Sequence, residues 1–119
     1  MTEEELQKQL EMAVPERDWH GLFVEECGGQ DVRLRFSPAS HSTAVLLTLV
    51  DTALRAAAGA GAEISHLNVT VLRPAQAADV LALSRVIRRD GSGMLHCEAW
   101  LFSHAVVEPI LHATASLRL

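Results

Sequence analysis

Apolar residues recur along this chain with two different periods, and the switches between them mark out its elements. Residues 2–12 set Leu6, Leu10 and Met12 among acidic positions, a spacing that predicts a short surface helix ending near Pro15. A linker with Asp18 and Trp19 follows. Residues 21–26 and 32–36 read as two strands joined through Gly28-Gly29-Gln30, a loop of hairpin length and composition. The period then lengthens. Residues 42–58 (STAVLLTLVDTALRAAA) carry apolar side chains at 46, 47, 50, 54, 57 and 58, a helical stripe, and Gly59 and Gly61 suit its C-terminal cap. After this one long helix the pattern returns to strands. Residues 63–73 alternate Ile64, Leu67, Val69 and Val71 with His66, Asn68 and Thr70, with one break at Ser65, and close at Pro74. Residues 80–89 and 94–103 are β-rich runs joined by Asp90-Gly91-Ser92-Gly93, a strong hairpin signal. The last run, 110–119, follows a turn at 103–107, with Pro109 tolerable only where a strand begins or on an edge.

Strand, strand, helix and four strands make one α+β domain over residues 20–119, preceded by an acidic helix and linker over residues 1–19. An antiparallel sheet of five or six strands buries the stripe of the long helix by curling around it. Ala53, Ala56, Ala57 and Ala58 let the two backbones approach closely. A chain this short leaves part of the sheet and the N-terminal end of the helix without cover, so pairing with a second copy is expected.

Composition narrows the function. Of 119 residues 49% are apolar and 21% charged, which excludes a disordered tail. Only 4% are aromatic, there is no Tyr, and the net charge is −5, which argues against a nucleic-acid partner recognised by stacking in a basic groove. The acidity is local. Residues 1–31 carry a balance of −7 and residues 32–119 a balance of +2, so the larger part of the chain can meet an anionic ligand. The best apolar run, 44–50, stops at Asp51, well short of a membrane span. The opening MTEEELQKQL lacks the basic and apolar regions of a secretory signal, which places the expected location in the cytoplasm. Cys27 and Cys97 have no CxxC spacing and read as reduced structural thiols. Six His include no HExxH or comparable signature, so no metal and no cofactor is expected. Alternation puts His96, Glu98, Trp100, Phe102 and His104 on one face, either an interface or a solvent face.

LVDTA at 49–53, LNVTVLRPA at 67–75 and the closing HATASLRL at 112–119 together resemble the hotdog-fold acyl-CoA thioesterases of the phenylacetate-degradation type, over residues 20–119. The resemblance implies a hotdog fold, with the sheet wrapped around one long central helix. It also implies a homodimer or tetramer whose subunits join sheets edge to edge, with the acyl thioester held at the dimer interface. The helix carboxylate, here Asp51, would then act as general base or nucleophile without metal. The sequence departs from the family at the helix start. Members commonly carry His-Gly-Gly nine residues before the Asp, with an Asn ahead of it. Here Ser42, Thr43 and Ala44 stand there, His41 falls one place early, and the loop FSPAS has no Asn. The hydratase motif Gly-Asp-x-Asn-Pro-x-His and the dehydratase His-Phe-Pro loop are both missing from the sequence.

The residues themselves allow the chemistry. Thioester hydrolysis needs a base to activate water and donors aimed at the oxygen that gains charge. Asp51 is the only carboxylate in an otherwise apolar helix, a setting that suits a base; the alternative is an exposed pair with Arg55 one turn on. Backbone N–H groups of Thr43 or Ala44 at the helix start are candidate oxyanion donors, and His41 or Ser42 candidate polar contacts. A plain N-cap is the other reading of Ser42. Leu46, Val50, Leu54, His66 and Asn68 are candidates for lining an acyl pocket, although structural polar contacts equally explain His66 and Asn68. Arg73, Arg88 and Arg89 are candidates for the phosphates of coenzyme A, against a default of surface charge. Two further functions remain: a non-catalytic acyl or acyl-CoA binding module, and an oligomerisation domain with a filled pocket.

Overall fold

In a computed structural model that describes residues 1–29, 31–76, 78–103 and 108–119, one helix lies in the curl of a single sheet. The elements are α1 (Glu3–Ala13), a 3-10 turn (Glu16–Asp18), β1 (Phe23–Glu26), β2 (Val32–Phe36), α2 (Thr43–Ala58), β3 (Glu63–Val71), β4 (Val80–Arg89), β5 (Met94–Ser103) and β6 (Pro109–Arg118). Six antiparallel strands stand in the order β1-β2-β4-β5-β6-β3. The expected α+β architecture is therefore the observed one. Gln30, Ala77 and the segment 104–107, with His104 and most of the turn expected at 103–107, lie outside the described residues.

Local chemistry explains each boundary. Thr2 caps α1 by accepting from the Glu5 N–H at 3.2 Å, while the Glu5 carboxylate accepts from the Thr2 N–H at 3.3 Å. Gly59, at a φ of 137° that an L side chain rarely adopts, ends α2 and donates its N–H to the Arg55 carbonyl at 2.8 Å. Pro109 stands at the first position of β6, where the missing N–H costs no internal ladder bond. The break in alternation at Ser65 is a register shift between Ile64 and His66, and the Ser65 hydroxyl donates to the Ser116 carbonyl across it.

The pleat divides the sheet into two faces. Ala82, Ala99, Ala113 and Leu34 look towards α2 and are fully buried, with Leu101, Leu111 and Leu117 around them. On α2 the buried residues are Leu46, Leu49, Val50, Thr52, Ala53, Leu54 and Ala56, which corrects the stripe read from the sequence. Leu47 is 37% exposed, and Ala57 and Ala58 are half-buried. So many positions are apolar that periodicity leaves the face ambiguous, and a helix sunk into a curled sheet buries most of its circumference.

The two sheet edges are treated differently. α1 buries Leu6 and Leu10 against the body of the fold and lays Gln7 along β1. The Gln7 amide donates to the Leu22 carbonyl at 3.0 Å and accepts from the Val24 N–H at 2.8 Å, closing that edge as another strand would. At the other edge β3 is bonded only to β6, and α2 packs over β2, β4, β5 and β6 without covering it.

Candidate functional site

The start of α2 and its exposed side hold the first of the residues singled out from the sequence. Ser42, in extended conformation, accepts from the Val45 N–H at 3.3 Å and so acts as the N-cap. The Ser40 hydroxyl accepts from the Ser42 N–H at 3.2 Å, and His41 Nε2 lies 2.6 Å from the Ala78 carbonyl. The first-turn N–H groups of Thr43 and Ala44 have no acceptor among the described residues, and both residues are exposed. Those two donors point outwards at the positive end of the helix dipole.

Asp51 lies seven residues beyond Ala44, on the same helical face as Ala44, Leu47 and Thr48. Its side chain is 40% exposed and turns towards the C-terminal end, where both carboxylate oxygens accept from Arg55 Nε at 3.1 and 3.2 Å. Arg55 also donates to the Ala62 carbonyl. The pairing left open by the sequence is therefore formed. At 1.5 Å per residue, Asp51 is about 10–12 Å along the axis from the Ala44 and Thr43 N–H groups. For direct attack, a thioester carbon in contact with the carboxylate and a carbonyl oxygen bonded to the donors span about 7 Å, and a water between base and carbon extends this to about 10 Å at full stretch. Within one chain, the Asp51 carboxylate, bonded to Arg55 and about 10–12 Å of helix axis from the donors, is poorly placed to share a reacting centre with them.

Other sequence candidates fall elsewhere. Leu46, Val50 and Leu54 belong to the closed core, because the side of α2 that bears them faces the sheet. The open apolar surface comes from Leu47 on α2 and from Leu67, Val71 (56% exposed) and Leu72 along β3, of which the sequence reading missed Leu47 as an exposed group. Nothing in the periodicity signals it, since it depends on how the sheet curls around α2. His66 and Asn68 pair across from Ser116 and Thr114 on the outer face of the sheet, away from α2. The three arginines do not converge. Arg73 sits at the start of β6, bound to Glu108 at 2.9 Å and to the Pro109 carbonyl at 3.0 Å. Arg88 and Arg89 pair with His96 and Leu95 at the opposite end of the strands.

On the outer face His96, Glu98 and Trp100 align as expected. Glu98 is 9% exposed, accepts from Arg85 Nε at 2.7 Å and meets His112 Nε2 at 3.1 Å. Burial works to raise the Glu98 carboxyl, but the bonds from His112 and Arg85 outweigh it and hold the carboxyl below its usual range. The hairpin residue Asp90, bonded by Ser92 and Met94, is lowered to about 2. Cys97 is buried, and desolvation pushes its thiol up to about 11. Among the described residues no three of His, Cys, Asp and Glu gather as a metal site would require, and no helix is long and apolar enough to cross a membrane.

No protein-family model and no curated protein sequence matches the chain. Solved structures do. A candidate thioesterase from Silicibacter superposes with a TM-score of 0.84 at 16% identity, over 98% of this chain and 90% of that one. Zebra fish thioesterase superfamily member 2 gives 0.77 at 16% identity, over 96% and 92%. A phenylacetic acid degradation-related protein from Ralstonia eutropha gives 0.75 at 17% identity, over 96% and 98%. The chain has the hotdog fold. At these identities the likeness is one of fold, and the hotdog frame is what sets α2 against the sheet with Asp51 on its open side.

Proposed function

We propose that this hotdog protein hydrolyses a small or medium acyl-CoA thioester to the free acid and coenzyme A, at a site completed by a second copy of the chain. One observation carries the reading: α2 exposes a carboxylate, Asp51, on the same open face as two N–H donors that have no acceptor among the described residues, yet about 10 Å along the axis from them. Two antiparallel copies would set Asp51 of one against the helix start of the other, next to the uncovered edge of β3. The exposed Leu47, Leu67, Val71 and Leu72 then become walls for an acyl chain and its interface.

In this reading Asp51 accepts a proton from water as the water oxygen bonds to the thioester carbon. The carbonyl oxygen takes up the negative charge against the Thr43 and Ala44 N–H groups of the other copy. The C–S bond then breaks, the thiolate of coenzyme A leaves, and the proton held by Asp51 returns to it. If Asp51 attacks directly, an acyl-aspartyl anhydride forms first and water hydrolyses it in a second step. Arg55 must release the carboxylate in either case; for a helical pair of this spacing the bond lost is worth about 0.2–0.5 kcal/mol, while Arg55 keeps its bond to the Ala62 carbonyl.

A second reading has its own support. The Arg55 pair and the Ser42-Thr43-Ala44 start, which lacks glycine, both favour an acyl or acyl-CoA binding module that does not turn over. Thiol release from a panel of acyl-CoAs separates the two. Wild type releases thiol, and Asp51→Asn falls by about 10²-fold or more. Equal background rates from both proteins, with acyl-CoA still bound, select the binding module.

A further inference from the structure

The outer face of the sheet, on the far side from α2, carries a buried carboxylate that the Asp51 site does not use. Leu83 and Arg85 of β4 stand opposite Trp100 and Glu98 of β5, and His112 of β6 stacks on Trp100 with ring centroids 3.8 Å apart. Leu83, Arg85, Glu98 and Trp100, with Phe102 and Pro109, line a groove of about 400 Å³, and His112 backs Trp100 and Glu98 from β6. Burying a carboxylate on a sheet face costs several kcal/mol unless its charge is paired and its lone pairs are bonded. Here Glu98 has both: one oxygen takes Arg85 Nε at 2.7 Å and the other meets His112 at 3.1 Å.

The consequence falls on Arg85. Its guanidinium is fixed through Nε, while its two terminal amino groups have no partner among the described residues. Glu98 holds the arginine, His112 holds Glu98, and the Trp100 ring holds His112. A guanidinium anchored at one nitrogen and open at the other two is a preformed fork for a carboxylate, with little side-chain entropy left to lose. The ring faces beside it suit an apolar body. Arg33, cross-strand partner of Leu83 and without a partner among the described residues, adds positive charge nearby, while Asp31 on the rim repels a second acid group.

We propose that this groove binds a small monocarboxylate with a ring-sized apolar body, its ring against Trp100 and Phe102 and its carboxylate on the outward fork of Arg85. The site is separate from Asp51, on the opposite face of the sheet, and does not depend on the activity assigned to Asp51. Its volume lies near the lower end for small-molecule sites, which matches a body of one ring and rejects a long chain.

3-Phenylpropionate and its uncharged counterpart 3-phenylpropan-1-ol test it. Binding is read from the indole N–H resonance of Trp100, with Trp19, tied to the Val14 carbonyl at 2.8 Å, as internal reference. The acid should shift Trp100 saturably with a Kd below about 1 mM, and the alcohol should bind about tenfold more weakly. Arg85→Gln should weaken the acid by about tenfold or more and leave the alcohol unchanged, with Arg85→Lys in between. Leu83→Asn should weaken both, and its thermal midpoint checks that the fold survives. Asp51→Asn should change neither. No Trp100 shift at saturating acid overturns the proposal, as do equal affinities for acid and alcohol in wild type. So does a Trp100 resonance that moves with protein concentration alone, because a second copy would then occupy the groove.

Discussion

Subunit mixing tests the two-chain site most directly. Thr43→Pro removes one N–H donor at the first helical position, where proline fits because Ser42 already holds a ψ of 157°. Losing one oxyanion donor costs about 10²–10³ in kcat, and Asp51→Asn about 10²-fold or more, so each variant alone should fall to roughly 1% or below. In the proposed site, the axial distance of about 10–12 Å from Thr43 and Ala44 to Asp51 is bridged by taking donors and base from different chains. When the two variants are mixed in equal amounts and exchanged through mild denaturant, half of the dimers are mixed. Each mixed dimer has one site with both groups intact, so about a quarter of wild-type activity returns. Thiol release before and after exchange gives the answer against a background near 1%. Activity that stays at the mean of the two parents refutes the two-chain geometry, and a fully active Thr43→Pro refutes the role of the helix start.

The remaining predictions concern stability. Because Glu98 is held below its ordinary carboxyl range, its contribution is fully present above that range and is lost as pH falls through the depressed value. Glu98→Gln should therefore lower urea stability by about 1–3 kcal/mol at neutral pH, with a gap that narrows in acid; a gap independent of pH contradicts the assignment. The Ser84 hydroxyl is buried without a hydrogen-bond partner among the described residues, so Ser84→Ala should raise stability by about 1 kcal/mol, seen as a thermal midpoint a few degrees higher, and a lower midpoint counts against it. Gln7→Ala strands the Leu22 carbonyl and the Val24 N–H and should cost about 1–3 kcal/mol while opening the β1 edge, with light scattering on heating as the readout.

The contrast between what the sequence disclosed and what it hid has a physical pattern. Period-two runs and the Asp90-Gly91-Ser92-Gly93 turn located all six strands within about two residues, and β3 revealed even its bulge, because Ser65 breaks the alternation where the register shifts. Alternation depends on the chain alone. The buried side of α2 does not, since Leu47 and Leu49 are equally apolar and only the curl of the sheet decides between them. The same limit governed the site. Asp51 and the donors at Thr43 and Ala44 were legible as groups with suitable chemistry, whereas their separation along the helix became meaningful only once both were seen on one open face. Leu46, Val50 and Leu54 looked like pocket walls because apolar residues beside a carboxylate read alike whether they face a ligand or the sheet.

The outer face reverses that relation. His96, Glu98 and Trp100 were legible as one row, but the row gave no reason for a buried acid. That reason comes from two neighbouring strands, Arg85 from β4 and His112 from β6, which meet Glu98 only after the β4-β5-β6 meander closes. Capping of the β1 edge by Gln7 is likewise invisible in the sequence, where the residue is one polar position in an acidic helix. With that edge closed by α1, β3 is the open edge of the sheet among the described residues, and the proposed dimer uses it to meet a second copy. In the proposed dimer a free β3 edge, an open helix face and donors distant from the base share one explanation, a second copy, and the subunit-exchange experiment tests them as a unit.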